Sequence, residues 1–426
     1  MENELKGKKI LILGGTTLMI HVVEVAKKLG VYTVVTDIDP KSPAKRYSDK
    51  SYDISTNDID KLVNICIDNN IDGVFTGYED FNTSIACELC EIINKPFYAT
   101  KEHIALTKNK IQFKNKCIEF GVPVVDEYMD VKNIKFPVVT KPADSYSGKG
   151  ITICANESEL QNGIEFAKKY SKSNQYLIEK YMDSNYVECI NIDYLIKDGD
   201  IKLSFIGDKY VNNEQGNKTP LTSAVLYPSK RQNEYIEQLD ERVKAMFKSL
   251  QLRNGTLFIE SFYDEDGFHF YEMGYRVGGG QSSILLNKIC NIDYVEMLIR
   301  YALTGILCED DVFDRISPNF SGMACSLVVL MKEGIVSKIE GVEKIIELDD
   351  VVKYTQFIDI DGEIPSNLVG TLGQVFARIH IVSNSYEKFR NVIKVINCEL
   401  KVLDHNGNNL LLSIVSDKMQ KYIDEL

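Results

Sequence analysis

The chain has 426 residues, and 49 Lys and Arg against 62 Asp and Glu give a net charge of −13 with no basic run. That balance excludes a protein built mainly to grip the phosphate backbone of nucleic acid. A composition of 44% hydrophobic, 10% aromatic and 26% charged residues excludes dominant disorder and leaves room for about two to four domains. No stretch approaches the roughly eighteen uninterrupted apolar residues of a membrane span. The opening MENELKGKKILIL enters an apolar run without a signal-peptide core, so a cytoplasmic protein with no membrane partner is expected.

In chain order, residues 9–13, 31–36 and 73–76 read as strands, and residues 17–29, 59–69 and 81–93 as helices. That rhythm predicts right-handed crossovers and a doubly wound parallel sheet. After Pro96 a helix over 108–120 stops at Gly121-Val122-Pro123. Strands with glycine-rich or charged turns follow from Phe136, with helices near 158–170 and 229–250. From about residue 311 a third region of strands carries one clear helix, 385–395. The ten cysteines are scattered through apolar segments; Cys87 and Cys90 form a CxxC inside a helical stretch and read as buried structural thiols. The five histidines show no metal-ligand spacing, and no zinc site is expected.

Gly14-Gly15 between a strand and a helix, with Asp37 after the next strand, has part of a dinucleotide fingerprint. The third glycine is missing, since Thr16-Thr17-Leu18-Met19 follows, so a structural turn or a substrate-facing loop is the better reading.

Three later segments carry chemistry. Lys141 ends an apolar strand and precedes Pro142, which keeps it extended and aims its ammonium from the strand end. The following Ser145-Tyr-Ser-Gly-Lys-Gly150 can fold its amides around phosphate oxygens, because Gly148 and Gly150 have no Cβ to block approach. Residues 255–276 form the strongest signal. With Glu265-Asp266-Gly267 as a three-residue hairpin loop, Asp264 faces Phe268, Phe262 faces Phe270 and Glu260 faces Glu272. Two carboxylates then sit side by side among phenylalanines, a repulsive pair unless a cation neutralises both; magnesium suits hard oxygen ligands shared with substrate phosphates. Arg276, followed by Gly278-Gly279-Gly280 and a polar helix start, offers a fork and free amides to a carboxylate or acyl phosphate.

On these residues the chain resembles, over nearly its whole length, the ATP-grasp superfamily of carboxylate–amine and carboxylate–thiol ligases. Within it, the likeness is to the group containing biotin carboxylase and the purine-synthesis enzymes. The resemblance implies an α/β and α+β protein: an N-terminal parallel-sheet domain over 1–95, a two-lobed ATP-grasp domain over 96–310 with its lid at about 136–185, and a small α+β domain over 311–426. It implies that Lys110 and Lys141 contact ATP and that Ser147, Gly148, Lys149 and Gly150 cover its phosphates. Glu179, Lys180 and Met182 stand at the adenine hinge, and Glu188 is a further ribose contact. Glu260 and Glu272 hold Mg²⁺ or Mn²⁺, while Arg276, with Gly279 and Gly280, faces the reacting carboxylate. Where the group often has Asn two residues after the second metal acid, this chain has Gly274. Lys209 is an added phosphate contact, and the region after 311 supplies no catalytic residue and often helps form a homodimer. The implied reaction moves the γ-phosphoryl group to a small carboxylic acid, and an amine attacks the acyl phosphate. A bicarbonate-using carboxylase, a nucleotide-binding regulator without turnover and an NAD-dependent oxidoreductase are the alternatives.

Overall fold

A computed structural model describes residues 4–130, 133–145, 148–214 and 220–426. The N-terminal sheet has four parallel strands in the order Lys50–Tyr52, Tyr32–Thr36, Lys9–Leu13, Gly73–Phe75. After Lys9 the strand Lys9–Leu13 is apolar because both faces are covered: Ile10, Leu11, Ile12 and Leu13 are all fully buried. Helices Thr17–Lys28, Ile59–Asn69 and Asp80–Ile92 supply the cover, close to the predicted spans. The second of these starts at Asp58, whose side chain accepts the Lys61 amide, and ends at Asn70 in the left-handed region. Cys87 and Cys90 are buried in the third helix, and burial pushes the Cys87 thiol up to about 11.

The Gly-Gly turn satisfies itself. Asp37 accepts the Gly15 amide at 2.7 Å, so the acid that would hold a ribose in a dinucleotide site holds the turn.

The main sheet has eight strands, all antiparallel to their neighbours. Their order is Gly267–Gly274, Gly255–Asp264, Glu188–Lys197, Asp200–Asn212, Leu221–Tyr227, Met323–Leu330, Val375–Ser383, Val351–Gln356. The region after residue 311 therefore extends the central sheet by three strands, and its Phe376, Phe389, Ile393 and Met419 form an apolar core that also takes in Tyr210, Ala224 and Leu226. Every residue of Met323–Leu330 is buried, as a strand paired on both edges and covered on both faces must be. A separate three-stranded sheet, Thr152–Cys154, Val138–Pro142 and Tyr176–Lys180, packs on helix Glu157–Tyr170 around Val138, Cys154, Leu160, Ile164 and Ile178. It lies where the lid is predicted.

Two helices differ from expectation. The one predicted over 108–120 spans Lys110–Glu119 and is separated by a break at Asn109 from a preceding helix, Lys101–Lys108, because Asn109 caps the second helix through the Gln112 amide. The break places Lys110 at a helix start, where its backbone N–H is donated to Ala143 of the lid at 2.8 Å. The long helix expected over 229–250 starts at Gln232 and widens into a π-turn at Ile236–Asp240. Among the described residues, no helix is long and apolar enough to cross a membrane.

Candidate active site

The site is built on the hairpin of Gly255–Asp264 and Gly267–Gly274. Asp264 pairs with Gly267, so the loop is the two residues Glu265 and Asp266, one shorter than predicted. Phe262 consequently faces His269 instead of Phe270. A bulge then inserts Tyr271 as an extra residue and returns Glu260 opposite Glu272, the pair the sequence predicts. The short loop and the bulge cancel for the glutamates but not for the rings. Phe268 and Phe270 turn into the main core, and the aromatic neighbour on the glutamate side is Tyr271, stacked on Phe262 at 4.5 Å.

Each glutamate has a lysine. Lys209 Nζ lies 2.8 Å from Glu260 Oε2, and the Tyr271 hydroxyl donates to the same oxygen. Burial alone would raise the Glu260 carboxyl; the Lys209 ammonium overrides it and holds the group below the ordinary carboxylate range. Lys110 Nζ lies 3.6 Å from Glu272 Oε1 and donates to the Ser145 carbonyl at 2.8 Å. These lysines offset the like-charge repulsion that the sequence assigned to a metal alone. The pair nonetheless fits a divalent cation: it presents hard oxygens on adjacent strands, and its counterions sit on long, flexible stems. Among the described residues no group of three or more His, Cys, Asp or Glu is placed to hold a metal. Such an ion would have to complete its shell with oxygens from a ligand.

Beside the pair lies a cavity of about 210 Å³, lined by Val139, Ile151 and Ile153 of the three-stranded unit, Met182 just after its last strand, and Phe262 and Tyr271 of the main sheet. Lys110, Lys141, Glu179, Lys180 and Glu272 also reach it. Lys141 is buried and not free: its ammonium is 2.6 Å from Glu179 Oε2, while Lys114 is 2.9 Å from Glu179 Oε1 and 3.3 Å from Glu127. The Glu179 carboxylate is thus engaged by two lysines. Burial pulls the Lys141 ammonium below its ordinary value despite Glu179. Glu188 is not brought to this cavity. Arg231 holds it bidentately at 2.9 and 3.0 Å, away from the lining. Ser147 lies outside the described residues; Lys149 is exposed, Gly150 is buried and Gly148 opens onto the next cavity.

Below the pair a second cavity of about 500 Å³ opens between the N-terminal domain, the hairpin and the region after 311. Glu272, Lys209 and Thr222 line both cavities, and Glu260 lines the second. Arg276 and the glycine loop, including Gly279 and Gly280, border it. The Arg276 fork is occupied, with Nε and Nη2 2.8 and 2.9 Å from the two oxygens of Asp80 in the N-terminal domain. The carbonyls of the loop are occupied too: Arg378 donates to Gly279, and Ser326 Oγ donates to Gly280 at 3.0 Å.

Arg378 brings the last region, to which the resemblance assigns no catalytic residue, to the wall of this cavity. It is 8% exposed, lines the second cavity and has no carboxylate among its described partners; burial lowers it to about 10, still protonated at neutral pH. The signal was present in Ala377-Arg-Ile-His380, two basic residues sharing one face of a strand that is otherwise almost entirely apolar. Lys114 was also missed, although it stands one helical turn after Lys110 and so shares its face.

Comparison with known proteins agrees with this architecture. The family model described as the D-ala D-ala ligase C-terminus matches residues 106–289, and that of the PylC-like N-terminal domain matches residues 10–92. A formate-dependent phosphoribosylglycinamide formyltransferase of Sulfurisphaera tokodaii is 28% identical over 187 residues, 41% of this chain and 47% of that protein. The chain thus spans about half the length of that curated relative. Among solved structures, an L-amino acid ligase from Bacillus licheniformis superposes with a TM-score of 0.74 at 19% identity, covering 94% of this chain and all of that one. The biotin carboxylase domain of the Hydrogenobacter thermophilus 2-oxoglutarate carboxylase, solved with MgADP and bicarbonate, gives 0.71 at 19% identity, covering 93% of this chain and 90% of that one. Fold, family matches and relatives agree, and the chain belongs to the ATP-grasp superfamily.

Proposed function

We propose that the protein is an ATP-dependent ligase that activates a small carboxylic acid as an acyl phosphate and couples it to an amine. One observation carries the reading: Glu272 lines both cavities and its neighbour Glu260 the second, with Lys110 and Lys141 at the first and Arg276 and Arg378 at the second. In this reading the adenine lies against Met182 and the backbone of Glu179 and Lys180, under the lid. Lys110 and Lys141 exchange their carboxylate partners for phosphate oxygens and offset triphosphate charge. Magnesium or manganese, held by Glu260 and Glu272, would neutralise charge on the phosphates while the γ-phosphoryl group transfers. Gly148, Lys149 and Gly150 close over the phosphates and keep water from the acyl phosphate. Arg378, with no carboxylate among its described partners, and Arg276, if Asp80 yields it, receive the substrate carboxylate beside Gly279 and Gly280.

The proposed domain boundary near 95 falls between the two matched spans, 10–92 and 106–289. Cysteines without disulfides are consistent with a reducing, cytoplasmic setting, and a homodimer is the expected assembly.

The test is ADP release against a matrix of carboxylates and amines. Turnover that needs both substrates, and that Glu272→Gln lowers by about 100-fold or more in a folded protein, is expected. MgATP binding without turnover on any pair would favour a regulatory protein. Release driven by bicarbonate alone would favour a carboxylase, as in the neighbour solved with bicarbonate. The second cavity, at about 500 Å³, has room well beyond that small anion.

A further inference from the structure

Five carboxylates line the second cavity: Glu79, Asp80, Asp193, Glu260 and Glu272. Asp80 is held by Arg276, Glu260 by Lys209 and Glu272 by Lys110. Glu79 faces the charges of Arg276 and Lys149 and accepts a hydrogen bond from Asn82. Asp193 differs from all of them. It lies in strand Glu188–Lys197, opposite Phe258 and two residues from Asn191, which pairs with Glu260. Only 5% of it is exposed, and its described partners are neutral: Asn191 Nδ2 at 3.1 Å on one oxygen and Ser282 Oγ at 2.8 Å on the other. A carboxylate has about four acceptor positions, so about two remain unused on a group already removed from water. Burial, with no cation to oppose it, pushes the carboxyl up to about 6. Leaving a carboxylate buried without a cation is costly, and a cationic ligand in the cavity would remove that cost.

We propose that Asp193, oriented by Ser282 at the start of helix Ser282–Cys290, is the recognition site for the ammonium group of the amine substrate. The proposal rests on the ligase reading and names the chemical class of its second substrate: an amine that arrives as a cation, such as an amino acid. The geometry suits that order of events. Ser282 follows the glycine loop on which the activated carboxylate is placed, so an ammonium on Asp193 lies along the same wall as Gly278–Gly280. Tyr227 also borders the cavity. A purely structural Asp193, serving only to tie Ser282 to the sheet, would not discriminate among amines by charge.

Hydroxylamine makes the distinction measurable, because it is uncharged at neutral pH and traps an acyl phosphate as the hydroxamate. Wild-type protein with MgATP and a panel of carboxylates is assayed with hydroxylamine and, separately, with a panel of L-amino acids as amines. Asp193→Asn is expected to keep hydroxamate formation within about twofold while its KM for the amino-acid amine rises about 10- to 100-fold, the range of a charge-assisted hydrogen bond. Ser282→Ala, which leaves the charge in place, is expected to raise the same KM by a smaller factor and guards against misfolding of the first variant. Equal losses with both nucleophiles, or no loss with either, would overturn the proposal. No hydroxamate from the wild type with any carboxylate would overturn the ligase reading itself, and this assignment with it.

Discussion

Gly274 stands where a side chain could have added an oxygen to the glutamate pair, and Phe258 explains its absence. A Cβ at 274 would come within 2.4 Å of the Phe258 ring, which also lies 4.9 Å beneath the Arg276 guanidinium. The glycine therefore lets the ring pack under the arginine. Gly274→Asn is expected to cost about 1–3 kcal/mol in denaturant unfolding, as overpacking does, and not to raise metal-dependent activity. Asp80 invites a second test. Its burial would raise the carboxyl, but the Arg276 guanidinium beside it holds the group below the ordinary 3.8. A depressed carboxylate contributes stability that is present in full above the unfolded-state value and is lost as pH falls through the lower folded-state value. The advantage of wild type over Asp80→Asn is expected to be about 3–5 kcal/mol at neutral pH, because the variant leaves Arg276 buried without its partner. It should shrink only on acidification below about pH 3.8, as read by urea unfolding at several pH values. Lys141, Glu260, Glu272 and Arg276 stood out by residue type and spacing, and Lys110 only through the family resemblance. Their partners did not, since Lys114 and Glu179 are 65 residues apart and Asp80 and Arg276 are 196 apart, separations that carry no local signal.

At the level of elements, periodicity served best where burial is simple. The strand Lys9–Leu13 and the helix Ile59–Asn69 have the boundaries read from the sequence, because each has a regular apolar pattern and clear end signals. The hairpin shows the opposite case. Asp264 and Gly267 leave the loop length open, and a bulge depends on how Tyr271 packs against Phe262, which only the folded sheet decides. The lid gives a test of element geometry through its two glycines, both in the left-handed region. Gly148, at φ +70°, has open space where a Cβ would go; Gly150, at φ +82°, would place one 2.6 Å from Pro142 and 2.8 Å from Tyr170. Gly148→Ala therefore carries only the backbone penalty of about 1–2 kcal/mol. Gly150→Ala adds a clash between the loop and the lid's strand and helix, and is expected to be the more damaging. Hydrogen exchange of residues 138–142 and 176–180 should rise clearly in the second variant and little in the first; equal effects would contradict this account of the loop.

Across the whole molecule, the main sheet ignores the boundary near residue 311. Leu221–Tyr227 pairs with Met323–Leu330, and the strands beyond place Arg378 against the glycine loop of the hairpin half. Tyr210, Ala224 and Leu226 of the central half belong to the same apolar core as Phe376 and Ile393. A chain cut at 310 would uncover that surface and leave Leu221–Tyr227 as an unpaired apolar edge, a template for association. It is expected to aggregate on expression, where an independently folded closing domain would be dispensable for solubility. In the intact chain the shared sheet predicts that the two halves unfold together. The lid, with its own small core around Val138, Leu160 and Ile178, has contacts few enough to open first. Far-UV circular dichroism and hydrogen exchange resolved by segment decide the matter. One transition should cover residues 188–227 and 323–383, with the lid exchanging at lower denaturant. Separate transitions for those two stretches, or a soluble and cooperative 1–310 fragment, would show that the sheet's continuity does not couple the halves energetically.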